Sequence, residues 1–259
     1  MGGAVAAAGR DPTLTWLNPA AAAGNKQATV TFSGQKGFIG DTTWLALGVL
    51  PIHDGGGLVT GVAWYDAGSV VLHPAGGEQR TVDAQLDGMG LLGAAGEAGG
   101  VRAGVNAKFL RSTLFNERSA SAGAFDAGLC AEPLEGWTAG VLAQNMSGGI
   151  RFEKTDVPLP TVLRAGLAAQ WSEEGNRLIV SADGVRDMER KKYGWGGGVE
   201  FRFSGTLSLR GGVGRKPELN GIGYTFGMGF EGFKYRIDYG VRLEPSETSP
   251  QVFSFTVIF

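Results

Sequence analysis

The stretch Ile222–Phe230, which reads IGYTFGMGF, and its successor Tyr235–Leu243, which reads YRIDYGVRL, decide the fold. In the first stretch bulky apolar residues occupy the even positions, while the odd positions hold only glycine and threonine. In the second, apolar residues alternate with three charged residues and one glycine. Because successive side chains of a β-strand point to opposite faces, each stretch predicts a strand with one apolar face and one small or charged face.

The same alternation recurs along most of the chain and defines fourteen candidate strands. Most are about ten residues long, which matches the ~9–11 residues of a tilted strand that crosses a membrane. The candidate strands are residues 27–34, 42–50, 57–72, 79–95, 99–115, 118–131, 136–152, 160–171, 176–185, 194–203, 205–214, 220–230, 233–243 and 250–259.

A soluble antiparallel sheet or sandwich also alternates, with its apolar face turned inward, so a soluble all-β binding protein is one alternative. The lengths of the connections favour a membrane barrel instead. Ser204–Gly205 and Glu231–Gly232 are tight, whereas Gly184–Tyr193 and Met146–Leu159 are longer. Bacterial outer-membrane barrels have short periplasmic turns and longer extracellular loops.

Aromatic residues gather near the strand ends that border the short turns. Girdles of tryptophan and other aromatic residues mark the membrane interfaces of such barrels. A soluble sandwich does not require aromatic residues at one end of its strands. The expected girdle consists of Trp137, Trp171, Phe203, Phe230, Tyr235 and Phe259.

A sheet whose apolar face meets lipid must close on itself, because each unpaired backbone group in the hydrocarbon costs several kcal/mol. We therefore predict an all-β fold: a transmembrane antiparallel up-and-down β-barrel of about fourteen strands over residues 27–259. An even strand number puts both chain ends on one side, which we take as periplasmic, with Phe259 at that rim. Residues Met1–Arg10 lack the features of a secretory signal, so we expect that the signal was removed or is missing from the gene model, and that the protein lies in the bacterial outer membrane.

Composition excludes several classes of protein. The net charge of -2 and pI near 5.8 argue against a nucleic-acid-binding protein, and 43% hydrophobic residues argue against disorder. The single cysteine, Cys130, and the two histidines, His53 and His73, do not make a zinc site. Without a nucleophile motif we expect no enzyme activity, no metal and no cofactor.

The N-terminal residues 1–26 do not alternate and are set apart from the barrel. Asp11, or Asn18 before Pro19, is a candidate start of a short helical turn. Two interpretations stay open: a plug folded into the barrel, or a periplasmic tail.

Charged residues on the inner parity of the strands predict a polar lumen. We expect Asp83 and Asp87 to meet Arg102 and Lys108 across one strand, and Glu200 and Arg202 to meet Arg210. The pairs would either brace the wall and fill the lumen, or line a path for an anionic or amphipathic solute. The full set is Asp83, Asp87, Arg102, Lys108, Arg164, Glu200, Arg202, Arg210, Lys234, Arg236, Asp238 and Arg242.

Several motifs resemble one family. The opening Met-Gly-Gly-Ala-Val of residues 1–5, the Leu-Asn-Pro-Ala of residues 17–20, the run GVNAKFL at 104–110 and the closing FSFTVIF at 253–259 are similar in order and spacing to the PorV/PorQ family, within the FadL-like outer-membrane barrels. The resemblance implies fourteen strands and a hatch in the lumen that carries the motif Trp16, Asn18, Pro19 and Ala20.

The resemblance implies more than one role. Members of the PorV type act as adaptors or shuttles with type IX secretion, so secretion-system or cargo proteins are expected partners beside outer-membrane lipid. FadL-type relatives instead carry hydrophobic small molecules across the outer membrane. We take the adaptor as the first expectation and the FadL-type transporter as the alternative, since fold does not decide between them.

Overall fold

The computed structural model describes residues 1–7, 11–37, 40–52, 55–73, 77–146, 149–152, 155–219, 221–244 and 249–259. Within these residues, fourteen antiparallel strands close into a barrel, and two small hairpins lie outside the wall. The wall strands are β1 (Thr29–Lys36), β2 (Thr42–Pro51), β3 (Gly57–Asp66), β6 (Gln85–Ala98), β7 (Val101–Leu114), β8 (Arg118–Leu134), β9 (Trp137–Met146), β12 (Val162–Glu173), β13 (Asn176–Asp187), β14 (Lys192–Phe203), β15 (Leu207–Arg215), β16 (Gly223–Glu231), β17 (Tyr235–Leu243) and β18 (Gln251–Ile258). The hairpins are β4 (Ser69–Leu72) with β5 (Arg80–Asp83), and β10 (Gly149–Phe152) with β11 (Thr155–Pro158).

The first and last wall strands close the barrel. They pair over their whole lengths, from Thr29 opposite Ile258 to Lys36 opposite Gln251. The hydroxyls of Thr31 and Thr256 meet across this seam at 2.9 Å on the buried inner face. Closure leaves no exposed sheet edge, as the prediction from alternation required.

The apolar face of the wall points outward. On β16 the outward Phe226 is 54% exposed, whereas on β17 the inward Arg236 is only 8% exposed. An outer surface of this kind is stable only against lipid, because its apolar area would otherwise lie open to water. The fourteen-strand fold and the outward orientation of the apolar face are therefore confirmed.

The two ends of the barrel differ in their connections. On the end where β1 begins and β18 ends, called the turn end here, strands are joined by tight turns such as Glu174–Gly175 and Ser204–Gly205, each with two consecutive positive φ angles. Such backbones suit hairpins of the mirror-image type, which follow the twist of the strands. The opposite end, called the loop end, carries both small hairpins.

The structure corrects three predicted segments. Residues 57–72 and 79–95 each merge a wall strand with one strand of the β4–β5 hairpin, and 136–152 merges β9 with β10. The connection predicted at 184–193 is shorter, because β13 continues to Asp187 and β14 begins at Lys192. Alternation is equally compatible with strands in a wall and strands in a hairpin above it, so it cannot show where the wall ends.

Among the described residues, no helix is long and apolar enough to span a membrane.

Candidate functional site

In the N-terminal segment, residues 1–26, the described residues 1–7 and 11–24 lie inside the barrel, and residues 11–24 contain two short 3-10 turns. The first, Pro12–Trp16, begins after Asp11, whose carboxylate accepts an amide hydrogen of the turn at 3.0 Å. The second, Pro19–Ala22, begins after Asn18, whose side-chain oxygen accepts one at 3.1 Å. Each turn thus has a capping residue followed by proline, which has no N–H to leave unpaired at this position.

Inner-wall glycines let the N-terminal segment touch the wall. A Cβ on Gly140 would collide with the backbone of Ala6, and one on Gly104 would lie 2.5 Å from the carbonyl carbon of Pro19. Glycine alone permits such close approach of two backbones. The other glycines that approach the backbone of the segment are Gly57, Gly196, Gly198, Gly212 and Gly214, and Gly128 lies against the side chain of Asn18.

Polar side chains of the wall satisfy the backbone of this segment. Asp183 Oδ2 accepts the amide hydrogens of Val5 at 2.6 Å and of Ala6 at 2.8 Å. From the neighbouring strand, Arg164 donates to the carbonyl oxygen of Gly3 at 2.7 Å. A buried irregular segment needs such partners, because an unpaired backbone group costs about as much as a lost hydrogen bond. These contacts hold the segment against β12 and β13.

The motif residues lie deep in the lumen. Asn18, Pro19 and Ala20 are almost completely buried. Asn18 Nδ2 donates to the carbonyl oxygen of Ala6 at 2.9 Å and lies 3.3 Å from Cys130 Sγ. Asn18 therefore links the two halves of the N-terminal segment to each other and to β8.

One side of the lumen is apolar. Leu47, Val49, Val59 and Leu91, on β2, β3 and β6, form a buried cluster with Ala22, and Trp16 packs against it with Leu45 and Ala95. We call the four wall residues the inner apolar patch. The N-terminal segment covers this patch and hence removes it from water.

The other side of the lumen carries a chain of ion pairs from β13 to β17. Glu200 accepts from Arg210 at 2.6 Å and from Arg177 at 3.0 Å. Arg210 also donates to Asp238 at 2.6 Å, and Asp238 lies 2.9 Å from Arg236. Each charge is shared between strands, so the network cross-links the wall where its polar face is buried.

Three other predicted charges also belong to this side or border it. Arg202 donates to Glu231 at 2.8 Å. Arg242 donates to the carbonyl oxygen of Gly214 at 3.2 Å and contacts Glu244. Arg164, described above with the N-terminal segment, also lies 3.7 Å from Asp183.

The predicted partners of Arg102 and Lys108 are wrong. Lys108 Nζ lies 2.6 Å from Asp126 Oδ2 on β8, and Arg102 lies 3.5 Å from Glu132 on the same strand. Asp87 instead accepts from the side chain of Gln85, its neighbour on β6, at 2.7 Å. The register of β6 against β7 places Asp87 opposite Ser112, four residues along β7 from Lys108 and ten from Arg102, so Asp87 does not reach either cation.

Two charges predicted to face the lumen are not on the wall. Asp83 belongs to the β5 hairpin strand, where it accepts from the Ser69 hydroxyl at 3.2 Å. Lys234 lies in the connection before β17 and is exposed. Both errors arise because the alternating pattern runs past the ends of the wall strands.

The sequence reasoning missed four charged residues that hold the lumen together: Asp11, Asp126, Arg177 and Asp183. The inward parity of Asp126 and Asp183 was the available signal for those two. For Asp11 there was none, because its partner Arg236 is 225 positions away.

The six aromatics predicted for a girdle lie at the turn end. Trp137 and Tyr235 begin their strands, Phe203 ends its strand, and Phe259 follows the last strand. All six are exposed on the barrel surface, and Phe230 stacks on Tyr235 with ring centroids 6.3 Å apart.

The two histidines and the cysteine do not form a common site among the described residues. His73 is exposed near the end of β4, and His53 lies outside the described residues. Cys130 is buried and lies 3.4 Å from the carbonyl oxygen of Ala6.

The Asp11–Arg236 ion pair joins the N-terminal segment to β17, and we expect it to make closure of the lumen depend on pH. Burial alone would raise the pKa of Asp11, but Arg236, 3.0 Å away, and the hydrogen bonds from Thr13 hold it at about 2. A carboxylate with a lowered folded pKa contributes stability above its unfolded pKa and loses it as the pH falls through the folded one. We therefore expect the conductance of the barrel in planar bilayers to stay constant from pH 8 to about 4 and to rise as the pH falls from about 4 to 2.

The Asp11→Asn variant isolates this pair from Asp238, which also contacts Arg236. The variant should conduct more than the wild type at pH 7 and rise less between pH 4 and 2. Superimposable pH curves for the two proteins would contradict the assignment.

The fold is shared with solved outer-membrane channels. The Pseudomonas putida toluene transporter TodX superimposes with a TM-score of 0.67 at 12% identity, covering 100% of this chain and 95% of that chain. The CymD monoaromatic hydrocarbon channel gives 0.63 at 9% identity, with 96% and 92% covered. A Pseudomonas aeruginosa FadL homologue gives 0.57 at 13% identity, with 100% and 95% covered. No protein-family model and no curated protein sequence matches the chain.

At these identities the likeness concerns the fold. That fold is a closed fourteen-strand antiparallel barrel of the outer-membrane type, and the outward apolar face agrees with it. These structures support the FadL-like part of the resemblance and give no support to PorV/PorQ specifically.

Proposed function

We propose that the protein is a FadL-type outer-membrane transporter of hydrophobic small molecules, with residues 1–26 as its hatch. Two proteins of the same fold, a toluene transporter and a monoaromatic hydrocarbon channel, support this choice of solute class. The proposal reverses the order of the two functions expected from the sequence.

The inner apolar patch is the observation that carries the proposal. It lies under Trp16 on the wall, opposite the chain of ion pairs. When the hatch moves, this patch offers a hydrophobic solute a surface on which to leave water, at about 25 cal/mol per Å² of apolar area buried. A pore for hydrophilic solutes has no need of such a patch.

The seam between β8 and β9 supports an exit toward lipid. The register shifts there between Phe125 and Ala127, and Asn145 on β9 adopts a φ of 56°. A bulge disrupts the ladder locally, so this seam has fewer regular hydrogen bonds to break than its neighbours.

The remaining alternatives stand differently. A secretion adaptor of the PorV type stays a prediction without support from the structures compared. A soluble all-β binding protein is not supported, because its exposed aromatic surface would face water.

Uptake of radiolabelled toluene by cells that express the barrel tests the proposal. We expect the wild type to raise the initial rate above that of cells without it. Leu91→Asn should lower the rate about tenfold, because a buried leucine side chain contributes about 1.5–3 kcal/mol of apolar transfer.

The neighbouring residue provides a matched control. Leu92 faces lipid at 68% exposure, while Leu91 is buried in the inner apolar patch. Leu92→Asn should leave uptake per folded barrel unchanged, with folding checked by heat-modifiable gel migration. A wild-type rate equal to the background would refute transport of this solute class, and equal rates for the two variants would refute the role of the patch.

A further inference from the structure

The outer surface of the wall contains a long groove. It has a volume of about 1050 Å³ and is lined by residues of β6, β7, β8, β9, β12, β13 and β14, mostly outward ones with one inward residue between them on each strand. A second depression of about 780 Å³ continues it toward the turn end, and the two share Leu129, Val141, Ala165 and Gly184. Most of the lining surface is apolar.

Small outward residues are frequent where the groove lies. Ala103, Ala127, Ala143 and Ala165 face outward here, whereas the outward faces of β16, β17 and β18 carry bulky aromatic residues such as Phe226, Tyr239 and Phe253. Lipid chains therefore meet a convex aromatic surface on one side of the barrel and a concave surface on the other.

Positive charge marks the loop end of the groove. Arg186 lines the groove, is exposed, and stacks its guanidinium over the Tyr193 ring at 5.2 Å. Within the described residues no carboxylate pairs with Arg186. Two exposed lysines follow it in the chain: Lys191 ends the connection from β13 to β14, and Lys192 is the first residue of β14. Arg190 differs, because Asp187 holds it at 2.8 Å.

We propose that this groove binds a phosphorylated glycolipid of the outer leaflet. Its acyl chains would lie along the small outward residues, and its phosphate would contact Arg186 and the two lysines. The loop end faces the outer leaflet, because outer-membrane barrels carry their longer connections on the extracellular side.

The geometry of Arg186 suits a phosphate. A guanidinium whose face rests on an aromatic ring keeps its in-plane N–H donors free. Those donors match phosphate oxygens in the paired geometry that makes arginine–phosphate contacts strong. The ring also fixes the side chain at the rim before the lipid arrives, which lowers the entropy lost on binding.

Charge argues against a second barrel as the occupant. In a two-fold symmetric dimer within one membrane, the same surface of each copy meets the other. Arg186 and its neighbouring lysines would then face their own copies at the same height, and like charges across an interface oppose association.

Native mass spectrometry of the purified barrel tests the proposal, with diphosphoryl lipid A as the probe. We expect retention of the wild-type complex and about tenfold weaker retention for Arg186→Gln, because the substitution removes a charge-assisted hydrogen bond to the phosphate. Ala165→Phe, which fills the groove, should weaken retention to a similar extent. Lipid A without its phosphates should bind the wild type as weakly as diphosphoryl lipid A binds Arg186→Gln.

Two substitutions elsewhere serve as controls. Lys36→Gln removes an exposed cation at the loop end of β1, and Ala46→Phe enlarges an outward residue of β2. Both should retain the lipid as the wild type does. The proposal would be overturned if Arg186→Gln retained the lipid as well as the wild type does, or if the wild type bound dephosphorylated and diphosphoryl lipid A equally. It would also be overturned if the wild type formed a dimer that Ala165→Phe dissociates. Because Arg186 is exposed, Arg186→Gln keeps the test valid even if Ala165→Phe does not fold.

Discussion

Replacing Gly140 by alanine is expected to displace the N-terminal segment and open the barrel. The added Cβ would collide with the backbone of Ala6, which cannot turn away as a flexible side chain would. Overpacking of this kind costs typically about 1–3 kcal/mol, and about 1.4 kcal/mol changes an equilibrium tenfold. The ratio of displaced to seated segment should therefore rise by a factor between about 5 and about 140.

Conductance in planar bilayers measures this displacement. The matched control is Gly240→Ala, an inner-wall position where the new Cβ would find its nearest neighbour, the Phe226 carbonyl oxygen, at an ordinary 3.7 Å. We expect frequent open events for Gly140→Ala and wild-type behaviour for Gly240→Ala. If neither variant shows frequent open events, the segment does not seal the lumen. If both variants show them, replacing any inner-wall glycine disturbs the wall.

Replacing Lys108 by methionine is expected to destabilise the barrel by about 3–5 kcal/mol, the usual cost of leaving one buried charge without its partner. Lys108 and Asp126 are both almost completely buried, with Nζ and Oδ2 2.6 Å apart. Asp126 Oδ1 also accepts the backbone hydrogen of Asn145 at 2.9 Å, so the loss should extend to the β8–β9 seam.

Denaturant unfolding in detergent micelles, followed by tryptophan fluorescence, gives the change in free energy. The double variant Lys108→Met with Asp126→Leu should recover most of the loss, because it leaves no unpaired charge. The exposed pair Arg80–Glu117 is the control, and Arg80→Ala should change stability by less than about 1 kcal/mol. A similar loss for Lys108→Met and Arg80→Ala would show that burial of the pair is not the cause.

Much of the candidate site could not be predicted from alternation. The pattern identified which face of β7 holds Lys108, but it paired that cation with Asp87 instead of Asp126. Parity is a local property of one strand, whereas a partner depends on the register between two strands and on the length of each side chain.

The glycines also show what the sequence could predict and what it could not. Their abundance was evident, yet which of them touch residues 1–26 could not be inferred from spacing. Gly140 and Gly240 both face inward, but only Gly140 meets the backbone of the N-terminal segment. The path of that segment across the lumen makes the difference.

The sequence by itself determined the strands, the face that each turns outward, and hence a closed barrel in a membrane. It did so because a period of two is set within a few residues, and because lipid allows no open sheet edge. Only the tertiary structure decided that residues 1–7 and 11–24 lie in the lumen, which charged side chains form ion pairs, and where the outer wall is concave. Those features join residues far apart in the chain, and their distances depend on strand register and closure, which no local pattern encodes.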